Sequence, residues 1–328
     1  MPPPRPETIS AQPADGAELG RRLRERDRSA APAALNLIED RSPAGRRRAA
    51  ELLAQVSPAA LGSEPPAHVV GVTGPPGAGK SSLLSALVAA WRAAGRTVAV
   101  LAVDPSSKRS GGSLLGDRAR IDHDPKDDGV LIRSTAAGGR LGGLAPPTRE
   151  AAEALAAAFD VVVIETVGVG QSETDVEQVC DTTAVVVQPA SGDTLQFLKA
   201  GIMEVPDVLV VTKADLGDPA RRAQRDLAAA LRSLGRRDTP VLAVSSVAPP
   251  SGIDELVAAL DAHGRSLDLP ARRTRARRMA ALAEFAFERG ELALRGLGGR
   301  REAERFLAEQ DPGLGVSELV KLLEARSR

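Results

Sequence analysis

The residue pattern with the clearest chemistry is a glycine-rich run at residues 74–81, which reads Gly-Pro-Pro-Gly-Ala-Gly-Lys-Ser. It matches G-x-x-x-x-G-K-[ST], in which backbone N–H groups surround a polyphosphate, the lysine reaches the β- and γ-phosphates and the serine hydroxyl binds Mg²⁺. An apolar run precedes the pattern and helically spaced apolar residues follow it, so the loop is predicted at a strand-to-helix turn. The sequence therefore predicts a nucleoside triphosphate site, formed by Gly74, Pro75, Pro76, Gly77, Ala78, Gly79, Lys80, Ser81 and Ser82.

Three carboxylates are candidates for a Mg²⁺ site beside this loop. Asp104 follows one aliphatic run, Asp117 lies in a glycine-rich polar stretch, and Glu165 closes a second aliphatic run at the Walker B position. Mg²⁺ prefers oxygen ligands and keeps several waters, so not all of Ser81, Asp104, Asp117 and Glu165 need touch it. For Asp104, a helix-capping or turn role stays open. Beyond Glu165, a backbone N–H of Gly168 can approach the γ-phosphate.

A third pattern, Thr-Lys-Ala-Asp at residues 212–215, predicts which base is bound. It resembles the N-K-x-D motif with which G proteins bind guanine. The Asp215 carboxylate can accept from adjacent N–H donors on the guanine edge, a donor pair that adenine lacks. The stem of Lys213 can cover the base. Thr212 replaces the usual asparagine, so we expect GTP to bind slightly less tightly, with further support from the backbone of Ser245, Ser246 and Val247.

These residues must be positioned by a sheet, and the chain alternates short aliphatic runs with helical patterns from residue 69 to 267. The predicted fold class is α/β, a P-loop NTPase with a mostly parallel, doubly wound sheet. Runs of this kind are typical of strands buried on both faces. The predicted strands are Val69–Thr73, Thr97–Val103, Val130–Arg133, Val161–Glu165, Ala184–Gln188, Val208–Thr212 and Val241–Val244.

Helical segments are predicted on both sides of this domain. Residues 1–16 are proline-rich and predicted to be disordered, and 17–65 form a helical extension that ends in a linker at Pro58–Pro66. The GTPase domain spans 66–268, and a helical arm spans 269–328. An arginine-rich run at 272–278 is interpreted as a solvated helix face, with a partner-binding patch as the alternative.

Composition restricts the classes of partner and the cellular compartment that we expect for this protein. The chain has 328 residues, with 43 lysines and arginines balancing 43 aspartates and glutamates, so no basic field favours nucleic acid or an anionic membrane as a partner. The single cysteine, Cys180, cannot form an internal disulfide. Neither a secretory signal nor a membrane-spanning run is apparent. We therefore expect a cytoplasmic protein.

Taken in order, these segments resemble the methylmalonyl-CoA mutase-associated GTPases, which are also described as arginine/ornithine transport kinases. The resemblance extends over the whole central domain. It rests on residues 74–81, 100–107, 111–117, 165–173, 192–196 and 213–215.

The resemblance implies a GTPase chaperone that docks on an adenosylcobalamin-dependent acyl-CoA mutase and gates the loading, protection and reactivation of its cofactor. It also implies Mg²⁺ at Asp104, Asp117 and Glu165, an extra switch loop at Pro189–Lys199, and homodimerisation through the C-terminal arm. Lys80 and Glu165 would then act in hydrolysis. Gln171 could orient water and Arg109 could neutralise charge, although a surface role in a switch is the preferred interpretation of each.

Three other functions fit the sequence less well. A nickel-insertion GTPase of hydrogenase or urease maturation needs metal-binding Cys or His clusters, whereas His68, His123, Cys180 and His263 are scattered along the chain. A transport-linked protein kinase would transfer phosphate to a protein from an adenine nucleotide, whereas Asp215 favours guanine. A non-hydrolysing scaffold would require damaged phosphate or Mg²⁺ motifs, and both are intact.

Overall fold

A single parallel sheet forms the centre of the molecule, as seen in a computed structural model that describes residues 15–104, 121–136, 146–166, 176, 178–189 and 206–327. The strands lie side by side in the order β3-β2-β4-β1-β5-β6-β7. All seven predicted strands are confirmed, with ends that differ by a few residues, and every pairing between them is parallel. The strands are β1 His68–Thr73, β2 Val98–Asp104, β3 Val130–Ala136, β4 Val161–Thr166, β5 Thr182–Val187, β6 Val208–Val211 and β7 Val241–Ala243.

Strand β1 lies in the interior of the sheet, between β4 and β5. Its side chains alternate between faces: Val70 and Val72 pack with Trp91 in one hydrophobic cluster, and Val69 packs with Phe159 in another. The chain leaves β1 near the point where the strand order changes direction, which is where open α/β sheets bind ligands. The glycine-rich loop therefore begins at the carboxyl end of an interior strand.

Helices cover both faces of the sheet and extend beyond it at each end of the chain. They are α1 Gly16–Arg24, α2 Ala31–Glu39, α3 Pro43–Gln55, α4 Pro58–Leu61, α5 Lys80–Ala93, α6 Pro146–Ala156, α7 Asp218–Ser233, α8 Ile253–Ser266, α9 Leu269–Gly296, α10 Arg300–Ala308 and α11 Val316–Arg326. None of the described helices is both long enough and apolar enough to cross a membrane.

The N-terminal helices share a core with the central domain. Leu23, Leu35 and Leu52 are buried in the same cluster as Leu101 and Phe159. These helices therefore bury one face of the sheet together with α6, rather than packing only among themselves.

Two predicted boundaries in this region are wrong. Gly16, assigned to the disordered segment, is the first residue of α1, and the Asp15 carboxylate caps that helix by accepting from the N–H of Ala17 at 3.0 Å. The predicted linker at 58–66 begins with α4, because Ser57 caps it and Pro58 supplies a helical φ at its first turn. Residues 1–14 lie outside the described part of the chain.

The C-terminal arm has a hydrophobic core of its own. Phe285 and Leu323 are fully buried in it, where α9 packs against α11. Gly290 has a φ of 76°, which kinks α9, since only glycine adopts that conformation without strain. The division of the chain at residues 66 and 269 remains a prediction.

The arginine run at the start of α9 is not wholly solvated, which corrects its interpretation as an exposed face. Arg273 donates to the Asp181 carboxylate at 2.6 Å and to the carbonyl of Ala67 at 2.6 Å. Arg277, one helical turn later and therefore on the same side of α9, binds the Glu64 carboxylate at 2.7 and 2.9 Å. These two arginines attach the arm to the residues that lead into β1.

Glu150 on α6 gives a prediction about stability. Burial, with Glu284 and Glu153 nearby, raises the pKa of Glu150 to about 7, although Arg149 and Arg41 oppose the shift. The folded protein therefore binds this proton more tightly than the unfolded chain, and stability falls as the pH rises from 4.5, the ordinary pKa of a glutamate, to about 7. We expect Glu150→Gln to raise the free energy of unfolding by about 1–3 kcal/mol near pH 8, and by much less near pH 5.

Urea unfolding at both pH values measures this difference. Glu51→Gln, at an exposed position on α3, is the matched control. An equal effect of Glu150→Gln at the two pH values would contradict the prediction.

Candidate nucleotide-binding site

The glycine-rich loop connects β1 to α5 as predicted, and its backbone has a positive φ, which favours glycine, at Gly74, Gly77 and Gly79. Gly74 has a φ of 149°, and a Cβ there would lie 2.1 Å from the Val186 carbonyl oxygen. Gly79 has a φ of 87° and immediately precedes the first residue of α5. The N-terminal N–H groups of a 14-residue helix thus lie at the loop, where an anion is favoured.

Lys80 is held inside this loop. Its side chain is buried, and Nζ donates to the carbonyl oxygens of Gly74 at 2.7 Å and Pro75 at 3.0 Å. An ammonium group has three donors that can be redirected as its stem rotates. The loop therefore already holds a positive charge at the position where the motif predicts a polyphosphate.

The described residues of the predicted Mg²⁺ site carry oxygen ligands that suit this ion. Ser81 lies in the first turn of α5 and Glu165 lies on β4, and the Ser81 hydroxyl is 3.4 Å from Glu165 Oε1. A hydroxyl and a carboxylate at the same edge are ligands that Mg²⁺ accepts. Asp104 ends β2, the neighbour of β4, so its backbone is at that edge too. Of the other predicted site residues, Asp117, Gly168, Gln171 and Arg109 lie outside the described residues.

Thr212 stands where the N-K-x-D motif has asparagine, and it makes a hydrogen bond that the sequence did not predict. It follows β6, and its hydroxyl lies 2.6 Å from the carbonyl oxygen of Ala78 in the phosphate loop and 3.1 Å from that of Val187. Having one proton, the hydroxyl can donate to one of them at a time, and the Ala78 contact is shorter. Thr212 thereby links the segment that is predicted to bind the base directly to the glycine-rich loop.

The Asp215 carboxylate is exposed and oriented by a neighbouring serine. Ser245 donates its hydroxyl to Asp215 Oδ1 at 2.8 Å and accepts from the N–H of Val247 at 3.2 Å. The predicted contribution of Ser245 was through its backbone, whereas its buried side chain makes these contacts. Ser246 lies between Ser245 and Val247 on the same segment. One Asp215 oxygen is therefore fixed from the protein side, and the carboxylate remains accessible to a ligand.

Lys213 also contacts both neighbouring segments. Its Nζ donates to Gln188 Oε1 at 2.5 Å and lies 3.5 Å from the Gly77 carbonyl oxygen. No sequence motif identifies Gln188 as a partner of Lys213. The sequence indicated only that Gln188 ends the predicted strand Ala184–Gln188, which the structure places beside β6. Of the predicted switch loop, only Pro189 is described.

The Thr212 contact gives a prediction about nucleotide affinity. Thr212→Val keeps the shape of the side chain but leaves the Ala78 carbonyl without this donor. The loss removes about 1 kcal/mol of the free energy that holds the loop in the position where it binds nucleotide. We expect the Kd for GTP to rise about fivefold, since 1.4 kcal/mol is tenfold. Titration of a fluorescent GTP analogue measures the change, and Thr212→Ser, which retains the hydroxyl, is the control. Equal affinities of the two variants would remove the hydroxyl from this role.

Comparisons with known proteins show which family the chain is similar to. The sequence model of the family described as "Methylmalonyl Co-A mutase-associated GTPase MeaB" matches residues 31–294. A Mycobacterium tuberculosis protein whose name describes it as a GTPase is 42% identical over 257 residues, covering 76% of this chain and 75% of that protein. The Caenorhabditis elegans "Methylmalonic aciduria type A homolog, mitochondrial" is 38% identical over 273 residues, covering 78% and 68%.

A solved structure is similar over almost the full length. It is the crystal structure of a protein named "LAO/AO transport system kinase" and is 28% identical, with a TM-score of 0.63, covering 97% of this chain and 99% of that one. The P-loop NTPase fold predicted from the sequence is thereby confirmed.

Proposed function

Because this chain belongs to the methylmalonyl-CoA mutase-associated GTPases, we propose that its GTP hydrolysis times the docking of an adenosylcobalamin-dependent acyl-CoA mutase. In this proposal the protein gates the loading of the mutase cofactor, protects it and assists its reactivation. The observation that carries the proposal is the family match over residues 31–294, which includes both the phosphate loop and the base-binding segment. Cobalamin is assigned to the partner.

The chain's own residues would bind and orient the nucleotide. Lys80 would exchange its contacts with the loop carbonyls for the β- and γ-phosphates, and the N–H groups at the start of α5 would donate to the remaining phosphate oxygens. Ser81 and Glu165, with Asp104 and Asp117, would hold Mg²⁺, which neutralises charge on the phosphates. Asp215 would accept from guanine, and Lys213 would cover the base. Gln171 stays a candidate for orienting water.

This mechanism needs little covalent chemistry from the protein. Phosphoryl transfer depends mainly on positioning and on electrostatic stabilisation of the transferring group. We expect slow intrinsic turnover that accelerates when a mutase binds.

The experiment that tests the function compares GTP hydrolysis with and without a purified acyl-CoA mutase. Methylmalonyl-CoA, ethylmalonyl-CoA and isobutyryl-CoA mutases from the same cell are each added as apoenzyme and as holoenzyme. We expect one of them to raise the turnover rate and to co-elute with the protein in a nucleotide-dependent manner. The absence of acceleration by all three would contradict the proposal.

A homodimer formed through the C-terminal arm is part of the same proposal. Three large apolar side chains on α9 are exposed: Met279, Phe287 and Leu292, at 48%, 68% and 80%. We take these exposed side chains as the surface that a second copy of the arm would cover. Light scattering of the full chain and of a Phe287→Ser variant tests it, with a dimer expected for the former and dissociation for the latter.

Protein phosphorylation is the second candidate, and one finding favours it, namely that the similar solved structure belongs to a protein named as a transport system kinase. Incubation with γ-labelled GTP separates the two functions. Label in free phosphate supports the GTPase, and label retained on a protein acceptor supports the kinase.

A further inference from the structure

A cavity of about 100 Å³ lies where the N-terminal helices, α6 and the C-terminal arm meet. None of residues 74–82 lines it, so it is separate from the nucleotide loop. Much of its wall is apolar and includes Leu53, Val69 and Val316. An apolar cavity of about 150 Å³ binds benzene, so a cavity of this size suits a ligand of about five heavy atoms.

Two glutamates of α6 line this cavity without a hydrogen bond. Glu150 and Glu153 are three residues apart, which places them on the same side of the helix. Neither carboxylate has a hydrogen-bond partner among the described residues. The arginines of the arm that line the same cavity already bind other carboxylates: Arg273 binds Asp181, and Arg277 binds Glu64. The two glutamates thus present acceptors to the cavity.

The charges around these glutamates show that their negative charge is incompletely offset. Burial raises the pKa of Glu153 despite Arg149 and Arg277 nearby, and Glu284 and Glu64 add to the increase. The pKa of Glu150 is raised by the same kind of surroundings. A positive group in the cavity would favour the ionised form of both carboxyls.

The cavity wall also includes a guanidinium donor. Arg149 donates through Nη2 to the Glu284 carboxylate at 2.8 Å, and its Nη1 has no acceptor in the described part of the chain. The Nε–H groups of Arg149 and Arg277 are buried with almost no accessible surface, so a ligand in the cavity does not reach them. A ligand that carries an acceptor beside its positive group could accept from Nη1 of Arg149.

A metal ion does not suit this combination. Within the described ranges, no group of three or more His, Cys, Asp or Glu side chains is arranged to hold one. Apolar walls, two acceptor carboxylates and a guanidinium donor instead match an organic molecule that carries both a donor cation and an acceptor.

We propose that this cavity binds a small amino compound, with its primary ammonium group between Glu150 and Glu153 and a hydroxyl or carboxylate facing Arg149. Its hydrocarbon part would contact the apolar wall. Because α3, α6, α9 and the start of α11 all line the cavity, a bound ligand would fasten the arm to the central domain.

The test uses the full chain without nucleotide or mutase, so its outcome is independent of the proposed function. The probe is 3-amino-1-propanol. Two compounds of equal size are its controls: 1,3-propanediol, which lacks the cation, and n-butylammonium, which lacks the acceptor. Near pH 8, we expect the probe at about 100 times its Kd to raise the Tm saturably by several degrees. The diol should give no saturable shift, and n-butylammonium a smaller one.

Protonation of the glutamates should compete with the ligand. Below their pKa, we expect the Kd of the probe to rise by up to about tenfold for each pH unit. Glu153→Gln and, separately, Glu150→Gln should each weaken binding, while Glu51→Gln should leave it unchanged; each comparison is made within one variant, with and without probe. An equal response to the diol, no saturable response to the probe, or full binding in both glutamine variants would overturn the proposal.

Discussion

Lys80→Ala should reduce the rate of GTP hydrolysis by at least about a hundredfold, because removal of one preorganised donor to the transition state costs about 10²–10³ in kcat. In the structure the Lys80 ammonium lies inside the loop, bound to the carbonyls of Gly74 and Pro75. Its charge is therefore already desolvated and close to where the phosphates are predicted. Alanine leaves the helix N-terminus in place, so nucleotide binding should weaken less than hydrolysis does. Phosphate release under single-turnover conditions, together with a GTP titration, separates the two effects.

The control is Lys321→Ala, at an exposed position on α11 far along the chain from the loop. We expect its hydrolysis rate to equal that of the unmodified protein. Because Lys80 is buried, thermal unfolding of both variants must accompany the kinetics, and Lys80→Arg, which keeps the charge but changes its shape, provides a second folded comparison. Hydrolysis by a folded Lys80→Ala protein at an undiminished rate would exclude Lys80 from catalysis.

The sheet could be predicted because its strands carry their own signal. Runs such as Val161–Ile164 are aliphatic at every position and fully buried, so no other segment competes for their place. The ends were less predictable. Thr182 and Thr183 extend β5 by backbone pairing with Val70 and Gly71, and nothing in two threonines requires that extension.

The phosphate loop could be predicted because its conformation is encoded locally by glycines and one helix start. The base-binding contacts depend instead on segments that are distant in sequence. Thr212 meets Ala78 across 134 positions, and Lys213 meets Gln188 across 25. The type of side chain at 212 shows that a hydroxyl is available, but not which carbonyl accepts it. Only the packing of β6 beside β5 brings these groups together.

The arginine run shows a different limit of the sequence. Charge runs on helices are usually solvated, and five arginines in seven residues, at 272–278, fit that expectation. Arg273 is nevertheless largely buried, because the carboxylate of Asp181 and two backbone carbonyls bind its guanidinium. Asp181 precedes β5 and also accepts from the N–H of Val69 at 2.9 Å. Such a burial site exists only after the sheet and the arm have packed together.

Asp215→Asn should convert the preference of the protein from GTP towards xanthosine triphosphate. The carboxylate is predicted to accept two hydrogen bonds from guanine, and hydrogen bonds to charged groups contribute about 1.5–3 kcal/mol each. Asparagine removes the negative charge and turns a donor amide towards the guanine amino group, so the affinity for GTP should fall by about 10²-fold or more. Xanthine presents a carbonyl where guanine has its amino group, so the amide of asparagine can donate to it while its oxygen still accepts from the ring N–H.

The contact from Ser245 allows Asp215 to be replaced without a change in the conformation of the loop. Ser245 donates to Asp215 Oδ1, and an asparagine can keep that contact through its own carbonyl oxygen, so the variant should fold with the same loop conformation. Asp254→Asn, at an exposed position in the first turn of α8, is the matched control and should leave both affinities unchanged. Competition of GTP, xanthosine triphosphate and ATP against one fluorescent nucleotide measures all three affinities. If Asp215→Asn kept its preference for GTP, Asp215 would not be the residue that selects guanine, and the selection would have to come from Lys213 or the segment that follows β7.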